Sequence, residues 1–325
     1  MNKTLIIRFS SFGDIVQCMS VLNKVKKDLP GELHWATRSD MASLLLLNKS
    51  VDKIWSFDKA RGFTGLIKLA LELRKENFTH VYDAHSNLRS RVISLFLYPP
   101  NFIRRSKERL KRLLLFTFRK NLFDNPYRGI ISYLSPLESW GIKDAVDFTS
   151  QSWSFEDVKI SSEFDKNSIV IAPSAAWEMK RWPISHWKKL IELNPSEKFT
   201  ILGGPGDSFC EDIRSIAPDR VVNLAGKLSL IESCSIVNDS KLLICADTGL
   251  IHVADILGKR GISLMGPTAF GFATGDHIKT LEVDLPCRPC TKDGRGDCSQ
   301  ATWQRCMVDI SPESVSKEIV NQLSC

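Results

Sequence analysis

Residues 241–268 read KLLICADTGLIHVADILGKRGISLMGPT. After one lysine, LLIC is an unbroken apolar run, the pattern of a strand buried on both faces. LIHVADILG then carries apolar side chains at helical spacing and stops at Gly258, and GISLMG is a second short apolar run. Parallel strands cannot be joined by a tight turn and need a crossover, so strand, helix and strand in this order predict a parallel α/β unit. Its polar residues, Asp247, Thr248 and Gly249, fall where the strand hands over to the helix. Ligands bind at that carboxyl edge in open α/β sheets. Gly249 lets a ligand approach the backbone, and the helix start presents unpaired N–H groups to an anion. The Thr248 hydroxyl can add a hydrogen bond to phosphate, and His252 follows one turn later. The same residues also read as an ordinary cap, with Asp247 or Thr248 at its head and His252 half-buried in the helix.

The same rhythm extends outward. SIVIAPSA (168–175), PISHWKKLIELN (183–194), KFTILGG (198–204), SFCEDIRSIA (208–217), RVVNLAG (220–226) and LSLIESCSIVNDS (228–240) alternate strand and helix. Residues 165–325 therefore read as one doubly wound domain, closed by a capped terminal helix in SPESVSKEIVNQL (311–323). Residues 1–155 read as another: strands in TLIIRF (4–9), ELHWATR (32–38), VDKIWSFD (51–58) and FTHVYDAHS (78–86), and helices in DIVQCMSVLNKVKKDL (14–29), MASLLLLN (41–48) and TGLIKLALELRKEN (64–77), the last capped by Thr64. The polar stretch 150–167 suits a linker. The fold class is α/β, two doubly wound Rossmann-like domains expected to face a central cleft.

The 325 residues suffice for two such domains, and 43% hydrophobic with 25% charged residues is ordinary for a globular protein. No run is long enough to span a bilayer, and Arg8 breaks the only apolar stretch near the N-terminus, so a cytoplasmic place is expected. Nine cysteines in that setting argue for reduced thiols or a metal, not a disulfide framework. The net charge of +7 is uneven. Residues 1–150 hold 25 Lys and Arg against 14 Asp and Glu, and the rest hold 19 against 23. An anionic partner for the first domain is the expectation.

The other strand ends supply the remaining candidates. SSFGD (10–14) follows the first strand without a glycine-rich phosphate fingerprint, and Asp14 would repel phosphate there. A helix N-cap is one reading of it. MKRWP (179–183) brings Lys180 and Arg181 to the edge of the second sheet, where a cation would stabilise a leaving diphosphate; a solvated basic turn is the alternative. No D-x-D occurs anywhere, which points away from a metal chelated to the diphosphate.

Taken in order, RFSSFGDIVQ (8–17), VYDAHSNLRS (81–90), KRWP (180–183), ILGGPGD (201–207) and DTGLIHVADILGKRGISLMGPT (247–268) resemble the bacterial heptosyltransferases, glycosyltransferase family 9, which build the inner core of lipopolysaccharide. The resemblance runs through nearly the whole chain. It implies a GT-B fold, with the acceptor on the first domain and a nucleotide-sugar on the second. It implies an inverting transfer in which Asp14 faces the acceptor and takes the hydroxyl proton. It carries Lys180 onto the donor phosphates and sugar, Asp247 onto the sugar hydroxyls, Thr248 and Gly249 onto the diphosphate, and His252 onto the same helix. Ser174 is the one side-chain hydroxyl that APSAAW (172–177) offers the phosphates, and Lys227 lies where the nucleoside should rest.

Eight cations and one acid lie between Arg104 and Lys120, and Leu110, Leu113, Leu114 and Phe118 share one helical face. That segment reads as a membrane-surface helix, as a clamp for a phosphorylated, carboxylate-rich glycolipid, or as a packed helix with a basic outer face. Arg104, Arg105 and Lys107, with His85, Asn87, Arg89 and Arg91 after the fourth strand, are the acceptor-side candidates. Nucleic acid is disfavoured, because no aromatic platform accompanies the cations. Cys287, Cys290, Cys298 and Cys306 are spaced C-x2-C-x7-C-x7-C and could close a tetrahedral zinc site, or stay reduced thiols or a structural clip. The expectation is thus a transferase needing no cofactor, placed at the cytoplasmic face of the inner membrane. It would move heptose from ADP-heptose to a lipopolysaccharide-core or lipid A-linked acceptor. The alternatives are a family-related enzyme using another nucleotide-hexose, or a non-catalytic nucleotide-sugar-binding module.

Overall fold

The computed structural model describes residues 2–143, 148 and 152–324. The start of the expected linker, residues 150 and 151, lies outside them. The chain divides into two compact units. The first comprises residues 1–108 with 130–157, and the second residues 109–129 with 158–325. The basic segment is therefore split: Arg104, Arg105 and Lys107 stay in the first unit, while the helix Arg109–Phe118 belongs to the second. The expected boundary at 155 missed this excursion, because an amphipathic helix does not reveal by its own spacing which core it will join. The expected linker is also partly committed: Asn48 and Trp153 form an antiparallel bridge, and Ser154 N–H donates to the Leu47 carbonyl at 2.8 Å.

The first unit holds a five-stranded parallel sheet ordered β3-β2-β1-β4-β5. Its strands are β1 (Asn2–Ile7), β2 (Gly31–Arg38), β3 (Lys53–Phe57), β4 (His80–Asp83) and β5 (Asn101–Arg104). Leu5, Ile7, Ala36 and Val81 from the sheet pack against Leu66, Leu69 and Leu73 of the helix Gly62–Arg74 and against Ile93. That helix starts at Gly62; Thr64 lies inside its first turn, and its hydroxyl donates back to the Arg61 carbonyl. The long helix expected over 14–29 is two, Phe12–Met19 and Leu22–Asp28, because the Ser20 hydroxyl bonds the Gln17 carbonyl at 2.6 Å and the chain turns there.

The second unit holds a six-stranded parallel sheet ordered β11-β10-β9-β6-β7-β8. Its strands are β6 (Ile169–Ala172), β7 (Phe199–Ile201), β8 (Val221–Asn223), β9 (Leu242–Ala246), β10 (Gly261–Met265) and β11 (Ile278–Glu282). β6, β9 and β10 are wholly buried, as their unbroken apolar runs require. Trp182 and Trp187 stack edge to face, 4.9 Å apart, in this core. The Trp182 indole donates to the Ile310 carbonyl at 2.9 Å, which ties the loop after β6 to the C-terminal segment. In each unit the candidate polar residues emerge at the carboxyl ends of the central strands.

Candidate functional site

The first cluster is built around Arg8 at the end of β1. A charge inside an apolar strand must be paired, and Arg8 is 5% exposed. Its guanidinium meets Asp14 Oδ2 at 2.6 Å and donates to the Ala84 carbonyl at 2.9 Å. Asp14 sits in the first turn of the helix Phe12–Met19. Its Oδ2 also accepts from the Ser11 hydroxyl at 2.8 Å, and Oδ1 accepts from the Tyr133 hydroxyl at 3.0 Å. Arg105 closes the cluster from β5, its guanidinium 3.9 Å from the centre of the Tyr133 ring and bonded to Ser132. Burial works against the Asp14 carboxylate, but Arg8, the Ser11 hydroxyl, Arg105 and Tyr133 outweigh it, so its pKa lies below the usual carboxylate range. The Asp14 side chain nevertheless keeps 41% of its surface open. The result is a carboxylate favoured in its ionised form and still partly accessible. The N-cap of this helix is Ser11, not Asp14, which stands three residues on and reaches back to it in a capping box.

The acceptor-side candidates divide. His85 is buried against Phe9, its Nδ1 has no hydrogen-bond partner, and burial, with Arg8 and Lys107 nearby, lowers its pKa to about 3. Asn87 caps the helix Leu88–Leu97, accepting from Ser90 N–H at 3.0 Å. Arg104 is paired with the buried Asp83 at 2.8 Å. Lys107 is half-buried, and Arg89 and Arg91 are exposed. Thus His85 and Arg105 gather near Asp14, with Lys107 near His85, whereas Asn87 and Arg104 carry local structure.

The second cluster stands where β6 and β9 end. Lys180 Nζ lies 2.9 Å from Asp247 Oδ2, with both side chains largely buried. The Thr268 hydroxyl, in the turn after β10, donates to the same carboxylate oxygen at 2.7 Å. Burial would raise the Asp247 pKa, but Lys180, His252 and Thr268 together hold it below the usual range. Thr248 caps the helix Gly249–Ile256 in extended conformation without a side-chain cap bond; its hydroxyl donates to the Cys245 sulfur at 3.6 Å, and the Ile251 N–H of the first turn meets the same sulfur. His252 is buried in the helix, and Ser174 is half-buried just beyond β6. Arg181 turns away: its Nε donates to the Ala175 carbonyl at 3.1 Å and its guanidinium lies over Phe209, so it closes the loop instead of facing the edge.

Glycine contacts complete this cluster. A Cβ on Gly271 would fall 2.0 Å from the Asp247 carboxyl carbon, and one on Gly294 would fall 2.7 Å from Lys180 Cγ and Cδ. Beside Thr268 a cleft of about 530 Å³ opens within the same unit, lined by Arg119, Phe123, Tyr127, Phe270 and Arg288 among others. Lys180 and Asp247 do not line it. Arg119 donates to the Cys287 and Pro289 carbonyls, so the basic helix and the cysteine-bearing loop are joined there. Cys287, Cys290, Cys298 and Cys306 are free thiols, and among the described residues no group of three His, Cys, Asp or Glu side chains is arranged to hold a metal ion.

Comparison with known proteins gives these clusters a context. The sequence profile of the family described as glycosyltransferase family 9 (heptosyltransferase) matches residues 66–298. Lipopolysaccharide heptosyltransferase 1 of Campylobacter coli is 26% identical over 293 residues, covering 82% of this chain and 84% of the relative. The structure of the E. coli ADP-heptose lps heptosyltransferase II superposes with a TM-score of 0.75 at 19% identity, covering 99% of this chain and 98% of the other. An E. coli heptosyltransferase solved with ADP superposes with a TM-score of 0.71 at 18% identity, over 98% and 99% of the two chains.

Proposed function

The chain belongs to glycosyltransferase family 9, with the two Rossmann-like units of a GT-B glycosyltransferase, and from that premise we propose that it moves a heptose from ADP-heptose to an inner-core lipopolysaccharide acceptor with inversion at the anomeric carbon. The observation that carries this reading is the Lys180–Asp247 pair beside the N-terminus of the helix Gly249–Ile256, where Thr248 makes no side-chain cap bond. An ammonium group and the positive end of a helix together are the means of holding a diphosphate without a chelating motif. Lys180 exchanges Asp247 for the donor phosphates and stabilises the charge that develops on the leaving nucleoside diphosphate. Asp247, so released, accepts hydrogen bonds from sugar hydroxyls, and Thr248, Gly249, Ser174 and His252 complete the donor-side wall. A relative named for lipopolysaccharide heptose transfer and one solved with ADP support the choice of donor.

On the first unit, Asp14 takes the proton of the attacking acceptor hydroxyl. Its depressed pKa makes it a poor base towards a resting alcohol. That hydroxyl becomes acidic as the new C–O bond forms, so the proton passes late, and the accessible edge of the carboxylate is where it goes. His85, Arg105 and Lys107 face the anionic groups of the acceptor. Leu110, Leu113 and Phe118 on the helix Arg109–Phe118 are 69%, 54% and 67% exposed, among cations. This supports a peripheral seat on the anionic cytoplasmic surface of the inner membrane, where such acceptors are anchored. Among the described residues no helix is long and apolar enough to cross a membrane.

A donor panel tests the proposal. The protein is incubated with a Kdo–lipid A acceptor and ADP-heptose, UDP-glucose or UDP-N-acetylglucosamine, and the product is weighed by mass spectrometry. Heptose addition from ADP-heptose alone is the expected result. Transfer from a UDP-hexose overturns the donor assignment but keeps the chemistry, and donor binding without transfer from any sugar would leave a binding module.

A further inference from the structure

We propose that Gly294 is a positioning residue for the donor-side lysine, and that the loop between β11 and the helix Arg305–Val308 exists to seat Lys180. The inference rests on the reading of Lys180 as the phosphate-facing cation. The loop contains no strand or helix, and two of its attachments lead to the Lys180–Asp247 pair. At its root, Cys290 and Thr291 N–H donate to the Pro267 carbonyl at 3.0 and 3.2 Å, and Thr291 bridges Thr268, whose hydroxyl holds Asp247. At its far end, the Gln304 side-chain amide donates to the carbonyl of Glu178, two residues before Lys180. One loop is therefore tied, through Thr268 and through Glu178, to the neighbours of both partners of the ion pair.

Between these anchors the chain lies directly on the Lys180 stem. Gly294 has φ +96°, a conformation L side chains rarely adopt, and its N–H is held by the Thr291 hydroxyl at 3.2 Å. A Cβ there would sit 2.7 Å from Lys180 Cγ and Cδ and 3.1 Å from Trp177 Cβ. Those lysine carbons are the middle of the side chain, so they cannot give way without carrying Nζ off Asp247. Arg295 lies over the Trp177 ring at 5.0 Å and is paired with Asp293, which keeps the crossing point closed. A long flexible cation gains precision only if its stem is confined, and here the confining surface is a backbone without a side chain.

The same loop supplies the control. Gly296 has φ +102°, and a Cβ there would meet nothing within 4 Å. Gly294→Ala and Gly296→Ala impose similar backbone strain, but only the first strikes Lys180. Both variants, Lys180→Met and the double variant Lys180→Met with Gly294→Ala are assayed for transfer from ADP-heptose, for ADP binding by calorimetry and for thermal stability. Gly294→Ala is expected to lower kcat/KM for the donor on the order of tenfold to hundredfold and to weaken ADP, with the acceptor KM unchanged. Gly296→Ala should stay within about threefold of wild type, and Gly294→Ala should add nothing once Lys180 is Met. Equal losses in the two glycine variants would reduce the effect to loop strain and overturn the inference. A wild-type Gly294→Ala beside an impaired Lys180→Met would overturn it while sparing the proposed function. An unimpaired Lys180→Met would sink both.

Discussion

Two carboxylates stand at the carboxyl edges of two parallel sheets, and the chain holds them differently. Asp14 is gripped by a buried guanidinium, a serine hydroxyl and a tyrosine hydroxyl, while keeping an open edge. Asp247 has one lysine and one threonine hydroxyl, and its side chain is largely enclosed. The first arrangement favours a fixed charge, since three separate partners hold it. The second is a pair whose lysine can change partners, because an ammonium on a flexible stem pays little geometric penalty for exchanging one oxygen anion for another. A base that must keep its place suits the former, and a cation that must let a diphosphate in and out suits the latter.

The largest effect should come from breaking the first arrangement. Asp14→Asn keeps the shape of the side chain and removes both the charge and the proposed proton acceptor. Turnover should fall by about 10²- to 10⁴-fold, the usual worth of a positioned general base. ADP binding, measured by calorimetry, should change by less than about twofold, because the donor cluster lies in the other unit. A parallel loss of ADP affinity would mean that the two carboxylates do not have separate tasks.

A smaller pair of changes asks whether the number of partners matters. Tyr133→Phe and Thr268→Val each delete one hydroxyl that donates to a carboxylate, at 3.0 Å to Asp14 and 2.7 Å to Asp247. A hydrogen bond to a charged group is worth about 1.5–3 kcal/mol, which is tenfold or more in rate if the remaining partners cannot compensate. Asp14 retains Arg8 and Ser11, so Tyr133→Phe should cost about threefold in turnover. Asp247 retains Lys180 as its hydrogen-bonded partner among the described residues, with His252 acting only through its field, so Thr268→Val should cost about tenfold, mainly in donor KM. The reverse order of losses would sink the contrast drawn between a fixed and an exchangeable charge.

Much of this was legible in the sequence because parallel strands buried on both faces announce themselves as apolar runs, and functional residues follow them directly. Asp14, Lys180 and Asp247 all stand just beyond such runs. β5 and β11 were not, since NFIR and IKTLE are edge strands broken by charge and carry no continuous apolar signal. Arg8 was visible as a charge inside a buried strand, yet its meaning depends on Asp14 and on Tyr133, more than a hundred residues away. Arg181, Asn87 and Arg104 looked like ligands and are engaged in holding loops and helix ends. Residue type at a strand end shows that chemistry is available there, but which side chain is already spoken for is decided by tertiary partners. Gly271 and Gly294 are the extreme case, because what matters at each is an absent atom.

The smallest expected effect concerns His85, the buried neighbour of the first cluster. Its pKa is lowered to about 3 by burial and by the cations Arg8 and Lys107, against 6.5 when unperturbed. Between those two values the unfolded chain binds a proton that the folded chain refuses, so stability rises with pH across that window and is lost as pH falls through it. At pH 5 the penalty should be about 1–2 kcal/mol, and above pH 6.5 it should vanish. Thermal unfolding between pH 7 and pH 4.5 would show it. His85→Gln cannot titrate, so its midpoint should fall less steeply than that of wild type, by about 2–4 °C for each kcal/mol removed. The Asp14 carboxylate faces the same cluster and stays ionised in the folded chain, so it adds a slope of its own only below about pH 5, where the unfolded carboxyl takes up a proton, and adds it equally to wild type and His85→Gln. If the two curves stay parallel, the imidazole is protonated in the folded chain, and the cluster around Arg8 is wetter and more yielding than a fixed charge requires.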